Sequence, residues 1–288
     1  MIDRRTFIAA MSAAAVTGAR LHAKKIDRLG MQLYTVRTEM EKDFEGTLAK
    51  VAGVGFKEVE FAGYFDKAPK DVRAILDRHG LSAPSAHVDY VSVTTKMPQL
   101  IEAAQVVGHK FLVCPWIDDQ MRAQPDVWKR LVEAFNKAGE ATRKAGIQFA
   151  YHNHHFEFIP VNGKDPFDVL LEDCDRTLVK FELDLCWMAV AGRDPLVYFD
   201  KYPGRFPMVH VKGLKKLPAN AGRATTMLPF DQAMPDITEV GDGPIDWKRI
   251  FAQAPKAGIQ HYFVEHDQPA APIDSITASY KYLAGLRV

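Results

Sequence analysis

Apolar residues in this chain gather into eight short runs separated by longer segments of helical spacing. The runs are Leu29 to Tyr34, Glu58 to Phe61, Leu81 to Ala86, Lys110 to Cys114, Ile147 to Tyr151, Leu178 to Leu183, Met208 to Val211 and His261 to Val264. Each has the length of a buried strand. Between them, Phe44, Leu48 and Val51, then Leu131, Phe135 and Ala138, then Ile276, Tyr280 and Leu283 recur every three or four positions, as one face of an amphipathic helix does. Asp43 and Asp274 stand where N-caps belong, and Gly80 and Gly146 stand where a helix ends in a left-handed residue.

Strand and helix alternate with a mean step of about 33 residues, close to the length of one βα unit. Eight such units predict an α/β fold, a closed (β/α)8 or TIM barrel in a single domain. An open doubly wound sheet is the competing architecture. No G-x-G-x-x-G follows the first run and no Walker sequence occurs, so the barrel is preferred. One interval breaks the rhythm: Lys212 to Pro244, rich in Pro, Gly and Ala, is too long for a plain turn and reads as a lid or binding element.

The first 23 residues read differently. Asp3-Arg4-Arg5-Thr6-Phe7-Ile8 leads into a small apolar run from Ala9 to Gly18, and Ala19-Arg20-Leu21-His22-Ala23 follows. A charged head, an apolar stretch too short to span a bilayer and a small residue at a cut site describe an export signal, and the paired arginines resemble the twin-arginine type. The expectation is a periplasmic or otherwise exported protein whose mature part, residues 24–288, is the barrel. No other segment approaches 18 uninterrupted apolar residues, so stable membrane insertion is not expected.

Composition narrows the partners. The 288 residues are 47% hydrophobic and 25% charged, ordinary for a globular protein, and 37 Lys plus Arg against 36 Asp plus Glu leave a net charge of +1. No basic stripe stands out to track a phosphate backbone, so nucleic acid is excluded as a partner. Cys114, Cys174 and Cys186 lack C-x-x-C spacing and read as buried apolar thiols.

In such a barrel the chemistry collects where strands end. The strand-end residues are Gln32-Leu33-Tyr34, Glu60-Phe61, His87-Val88-Asp89, Cys114-Pro115-Trp116, Tyr151-His152-Asn153-His154-His155-Phe156-Glu157, Glu182-Leu183-Asp184, His210-Val211-Lys212 and Glu265-His266-Asp267. Carboxylates and imidazoles converge at one rim. A divalent metal explains the cluster economically, because Asp, Glu and His are the ligands that zinc, manganese, cobalt or iron accept. The strand period of two puts Asp184 and His210 opposite to their apolar neighbours, and Glu265 after Tyr262-Phe263-Val264 fits the same role.

These strand ends resemble the sugar isomerase/epimerase superfamily with the xylose-isomerase-like barrel, which includes ketose 3-epimerases and inosose dehydratases. The matching pieces are Gln32-Leu33-Tyr34-Thr35-Val36-Arg37, Gly55-Phe56-Lys57-Glu58-Val59-Glu60, Tyr151-His152-Asn153-His154, Asp184, His210-Val211-Lys212, Gly241-Asp242-Gly243-Pro244-Ile245-Asp246-Trp247 and Val264-Glu265. The resemblance implies one divalent metal, Mn, Zn, Co, Fe or Mg, held after strands five to eight. Asp184, His210 and Glu265 match the last three ligands. At strand five the expected Glu is replaced by His152, with Glu157 five residues later as the other candidate.

The resemblance further implies a sugar or keto-sugar substrate and proton abstraction next to a carbonyl through a metal-stabilised enediolate. Glu265 is the first choice of base. Lys212 and Arg37 are expected to polarise the carbonyl or bind a polar substituent. Gln32, Tyr34, Glu60, His87, Trp116, His154 and Trp187 are the further expected substrate contacts, the tryptophans as apolar faces for sugar C–H groups. Replacing the strand-five Glu leaves three routes open: Glu157 or His154 as second base, one base moving a proton between adjacent carbons, or elimination of a β-leaving group. The reading is therefore a metal-dependent isomerase or epimerase, with a keto-sugar dehydratase or 3-keto-glycoside lyase as alternative and a sugar-binding barrel as the non-enzyme alternative. Self-association stays open, and His79, His109 and His261 receive no role.

Overall fold

A computed structural model describes residues 25–26, 28–124, 126–219, 221 and 236–288. The expected export segment and much of the Lys212 to Pro244 interval lie outside the described residues. Eight parallel strands close into a barrel: β1 (Gly30–Gln32), β2 (Glu58–Phe61), β3 (Ser82–His87), β4 (Phe111–Cys114), β5 (Gln148–His152), β6 (Val179–Asp184), β7 (Met208–Val211) and β10 (His261–Val264). The hydrogen-bonded order runs in sequence, and β10 closes on β1 with Gly30 opposite Phe263. β8 (Gly213–Leu214) and β9 (Ile237–Thr238) form a small antiparallel pair at the two ends of the long interval.

Every expected run forms a strand, and one run and one expected cap differ locally. The first stops at Gln32, because the side chain of Gln32 accepts the Tyr34 amide and starts a 3-10 turn over Leu33–Val36. Asp274 lies inside the first turn of the helix Pro272–Gly285, whose N-cap is Ala271 and whose first position is Pro272. Asp43 does cap as expected, accepting the Gly46 amide at 2.9 Å ahead of the helix Phe44–Val54. That helix ends at Gly55 with φ 123°, where a Cβ would lie 2.5 Å from the Tyr280 ring. Glycine is what lets the C-terminal helix pack this closely.

The main core lies between strands and helices: Leu48, Val51, Leu131, Phe135, Phe149, Phe181, Ile276 and Leu283 are buried there. Inside the barrel a second, smaller cluster of Phe111, Val113, Ala150, Met208 and Phe263 fills the lower layer. Gly30 makes room for it, since a Cβ there would meet the Phe263 ring at 2.6 Å. One step further along the same inward-facing rows, the side chains become polar.

Candidate active site

The upper interior layer is built by the alternation of the strands. Gln32, Glu60, Ser85, His152, Glu182, Asp184 and His210 all point inward and all are buried. Register places them side by side: Gln32 opposite Glu60, Glu60 opposite Ser85, His152 opposite Glu182, and Asp184 opposite His210. Lys212, Glu265 and Asp267 follow β7 and β10 and are buried as well.

Two groups of ligand-type atoms share His210. Atoms of Asp184, His210 and Glu265 lie within 4.8 Å of one another, and so do atoms of His87, His152, Glu182 and His210. The ring nitrogens sort the groups. His210 turns Nδ1 to Glu265 Oε2 at 2.7 Å and Nε2 to Glu60 Oε2 at 2.7 Å. His152 turns Nε2 toward Asp184 Oδ2 at 3.7 Å and Nδ1 toward Glu182 Oε2 at 3.2 Å. One side of both rings thus faces Asp184 and Glu265, and the other side faces Glu60 and Glu182. This resembles a histidine metal site, in which a carboxylate behind the ring fixes tautomer and orientation. Glu60 does this for His210 by a hydrogen bond, while Glu182 lies beside His152 Nδ1 off hydrogen-bonding geometry.

The residues present fit a cation. Asp184 caps the helix Leu185–Val190, with Oδ1 accepting the amides of Cys186 and Trp187 at 2.9 Å each. Its Oδ2 is buried and makes no hydrogen bond, although Lys212 Nζ lies 3.1 Å away off hydrogen-bonding geometry. A buried carboxylate oxygen left in this way, facing imidazole and a second carboxylate, suits a metal better than any neutral packing. Asn153 holds the frame by accepting the Asp184 amide at 3.0 Å, which ties the end of β5 to the end of β6.

The charges respond to this crowding. Burial raises the Asp184 carboxyl to about 6 against the pull of Lys212 and His210. For Glu265 burial is outweighed by Lys212 and His210, which hold the carboxyl well below its usual range. Burial and Glu60 act to raise Glu182, but the neighbouring imidazoles of His210 and His152 bring it down to about 2. His152 is pushed well down by burial and by His210, so it is neutral and able to offer a lone pair. Burial opposes charge on His87 too, yet Glu60 and Glu182 lift it to about 9. Lys212 reaches Glu265 Oε2 at 2.8 Å and Asp267 Oδ1 at 3.1 Å and stays charged despite burial.

A cavity of about 650 Å³ opens at the mouth of the barrel onto this layer. Of the expected substrate contacts, Tyr34, His87, Trp116 and His154 line it, together with His152, Lys212 and Glu265. Gln32 and Glu60 lie beneath it: Gln32 Nε2 donates to Glu60 Oε2 at 2.6 Å, and Ser85 donates to Glu60 Oε1 at 2.5 Å. Arg37 donates to the carbonyls of Tyr34 and Asp267 and joins the ends of β1 and β10. Trp187 is fully enclosed, with its ring 4.9 Å from that of His155, and offers no face to the cavity.

Glu157 lies apart from the other expected site residues. Tyr151 alternates with His152 and points out of the barrel, and its hydroxyl donates to Glu157 Oε1 at 2.6 Å while the His154 amide donates to Oε2 at 2.8 Å. Glu157 is therefore held behind β5, where burial raises it to about 7. Among the described residues the strand-five member of the cluster is His152. Glu182 was not among the expected site residues, although its place two positions before Asp184 puts it on the same strand face.

Known proteins bear on this site. Residues 48–284 match the family described as Xylose isomerase-like TIM barrel. Inosose dehydratase of Lacticaseibacillus casei is 26% identical over 270 residues, 84% of this chain and 89% of that protein. A sugar phosphate isomerase/epimerase from Parabacteroides distasonis superposes with a TM-score of 0.72 at 23% identity, covering 90% of this chain and 98% of that one. The IOLI protein, solved with a binding zinc atom, superposes with a TM-score of 0.68 at 14% identity over 88% of this chain and 96% of that one. The match over most of the barrel and its strand-end residues leads to one conclusion: this chain belongs to the xylose isomerase-like TIM barrel family.

Proposed function

We propose that this chain is a metal-dependent enzyme that eliminates a β-oxygen substituent from a keto-sugar or keto-polyol, a dehydratase or lyase. The observation that carries the reading is the pair His152 and Glu157. A two-base epimerisation needs an acceptor on one face of a carbon and a donor on the other. Here the strand-five position holds an imidazole, and Glu157, the carboxylate that follows it on the same loop, is turned behind the strand. The similarity to inosose dehydratase supports the same chemistry.

His152, Asp184, His210 and Glu265 would hold one divalent cation, which as a Lewis acid supplies stabilisation of the charge that develops on a substrate carbonyl. Glu265 is the proton acceptor. Lys212 Nζ lies 2.8 Å from its Oε2 and keeps it anionic, while its other oxygen lies outside this contact. The proton leaves the carbon next to the carbonyl, the electron pair forms the carbon–carbon double bond, and the β C–O bond breaks with its pair going to oxygen. His87, which lines the cavity, would give that oxygen its proton. Glu60 and Glu182 would position the rings and are not among the residues that line this cavity.

Isomerisation or epimerisation is the second reading, favoured by His154, which lines the cavity and which burial and Lys212 keep neutral. One assay separates the two. The metal-reconstituted protein is incubated in deuterated water with a keto-inositol and with methyl 3-keto-glucoside. Elimination predicts an ultraviolet-absorbing unsaturated ketone with release of water or methanol, slowed roughly 10²–10⁴-fold in Glu265→Gln. Recovery of an epimer or isomer carrying solvent deuterium with its leaving group intact would contradict elimination.

A further inference from the structure

The cavity is larger than the chemistry at its polar end requires. A six-membered ring with its hydroxyls, about twelve non-hydrogen atoms packed at interior density, fills roughly 200 Å³. More than half of the 650 Å³ is left over. The lining divides by strand. Toward β5, β7 and β10 it is polar, with His152, His154, Lys212 and Glu265. Toward β2, β3 and β4 it is apolar, with Ala62, Ala86, Leu100, Ala103 and Leu112.

The path of this apolar arm follows from strand alternation. Ser85 and His87 reach the interior network, so Ala86 between them points outward. Phe111 and Val113 belong to the interior cluster, so Leu112 points outward too. Both face the helix Met97–Val107, whose Leu100 and Ala103, three residues apart, line the same cavity. Met97, Ala104 and Val107 of that helix are buried, whereas Leu100 and Ala103 are only half-buried.

Aromatic rings stand on the same side. Tyr64 follows β2 and Trp116 follows β4, and both line the cavity. The Tyr64 hydroxyl lies 2.7 Å from His109 Nε2, and His109 Nδ1 lies 2.6 Å from the Ala83 carbonyl, so the polar tip of Tyr64 is already engaged. Beyond His87, which turns to Glu182, the polar residues Asp89 and Ser92 on this side are joined by the Ser92 amide donating to Asp89 Oδ1 at 2.9 Å. A second sugar ring here would bury hydroxyls against alanine and leucine side chains without partners, whereas an apolar ring gains by leaving water.

We infer that the apolar arm is a subsite for an alkyl or aromatic aglycone, and that the substrate is a 3-keto-glycoside whose departing alcohol is apolar. The inference rests on the elimination reading for its reaction, though not for its binding. The proton leaves C2, the C1–C2 double bond forms, and the C1–O bond breaks. The aglycone oxygen takes the bonding pair and a proton and departs as the free alcohol, with no further reactant.

The test compares cyclohexyl and methyl 3-keto-glucosides, whose leaving alcohols are similarly basic, on wild type, Ala103→Phe and Ala62→Leu. The expected result is a preference for the cyclohexyl compound of roughly 10–100-fold in kcat/KM. Each variant should remove at least about tenfold of that preference and leave the methyl compound within about twofold. Equal kcat/KM for the two compounds in wild type, or variants that lower both alike, would overturn the subsite. If neither compound is cleaved, the elimination reading fails by itself. Calorimetric Kd values for the unoxidised cyclohexyl and methyl glucosides then decide the arm: a tenfold preference lost in Ala103→Phe upholds it, and equal affinities overturn it.

Discussion

The lower and upper layers of the barrel interior are built on the same strands from the same inward-facing rows, yet they solve opposite problems. Below, Phe111, Val113, Ala150, Met208 and Phe263 close the barrel by apolar packing. Above, Glu60, Glu182, Asp184, His152 and His210 are buried to the same degree as charged or imidazole groups. In the register of β7 and β10, Phe263 stands directly opposite His210, so the boundary between the layers is one residue wide. Burying ion pairs contributes little to stability, because desolvation cancels most of the attraction. The difference teaches that the upper layer is arranged for a ligand and that the lower layer, with the helix-to-strand core, holds the fold together.

The largest expected effect separates the two layers by mutation. Phe263→Ala opens a cavity in the lower layer and should cost about 3–5 kcal/mol in urea unfolding, while metal stoichiometry stays as in wild type. Loss of metal in a variant that remains folded would show that the two layers are one unit.

A smaller effect distinguishes a histidine buried for structure from those of the site. His109 is buried, lies within hydrogen-bonding distance of Ala83 O and the Tyr64 hydroxyl, and has its pKa lowered by desolvation to about 4. Between about 4 and the unfolded value near 6.5 the unfolded chain binds more protons, so stability is lost as pH falls through that window. His109 alone should contribute about 3 kcal/mol of that loss. His109→Gln should flatten the dependence by this amount in urea titrations at pH 7 and pH 4, and identical slopes in the two proteins would contradict it.

Much of this was legible in the chain itself. The eight apolar runs and their spacing gave the barrel because strand length and the βα period are local properties. Asp184 and His210 were legible because a polar residue between two apolar ones on a strand points opposite to them, and Glu265 because it ends an apolar run. What lay beyond reach depended on tertiary direction. Glu157 sits in the 3-10 turn Phe156–Phe158 after β5, and only the outward Tyr151 decides which way its carboxylate is drawn. Trp187 follows the N-cap Asp184 in a helix start, where its ring turns into the core instead of the mouth. Glu182 was readable by the period of two yet was hidden by its neighbour Asp184, and the apolar arm needed the helix Met97–Val107 set against β3 and β4.

The most direct test of the central claim is elemental analysis of the purified, reconstituted protein beside three variants. The account predicts about one divalent transition metal per chain in wild type and in Glu157→Ala, and less than about a tenth of that in Asp184→Ala and His152→Ala. Wild type without metal, or metal that is kept by His152→Ala and lost by Glu157→Ala, would contradict it.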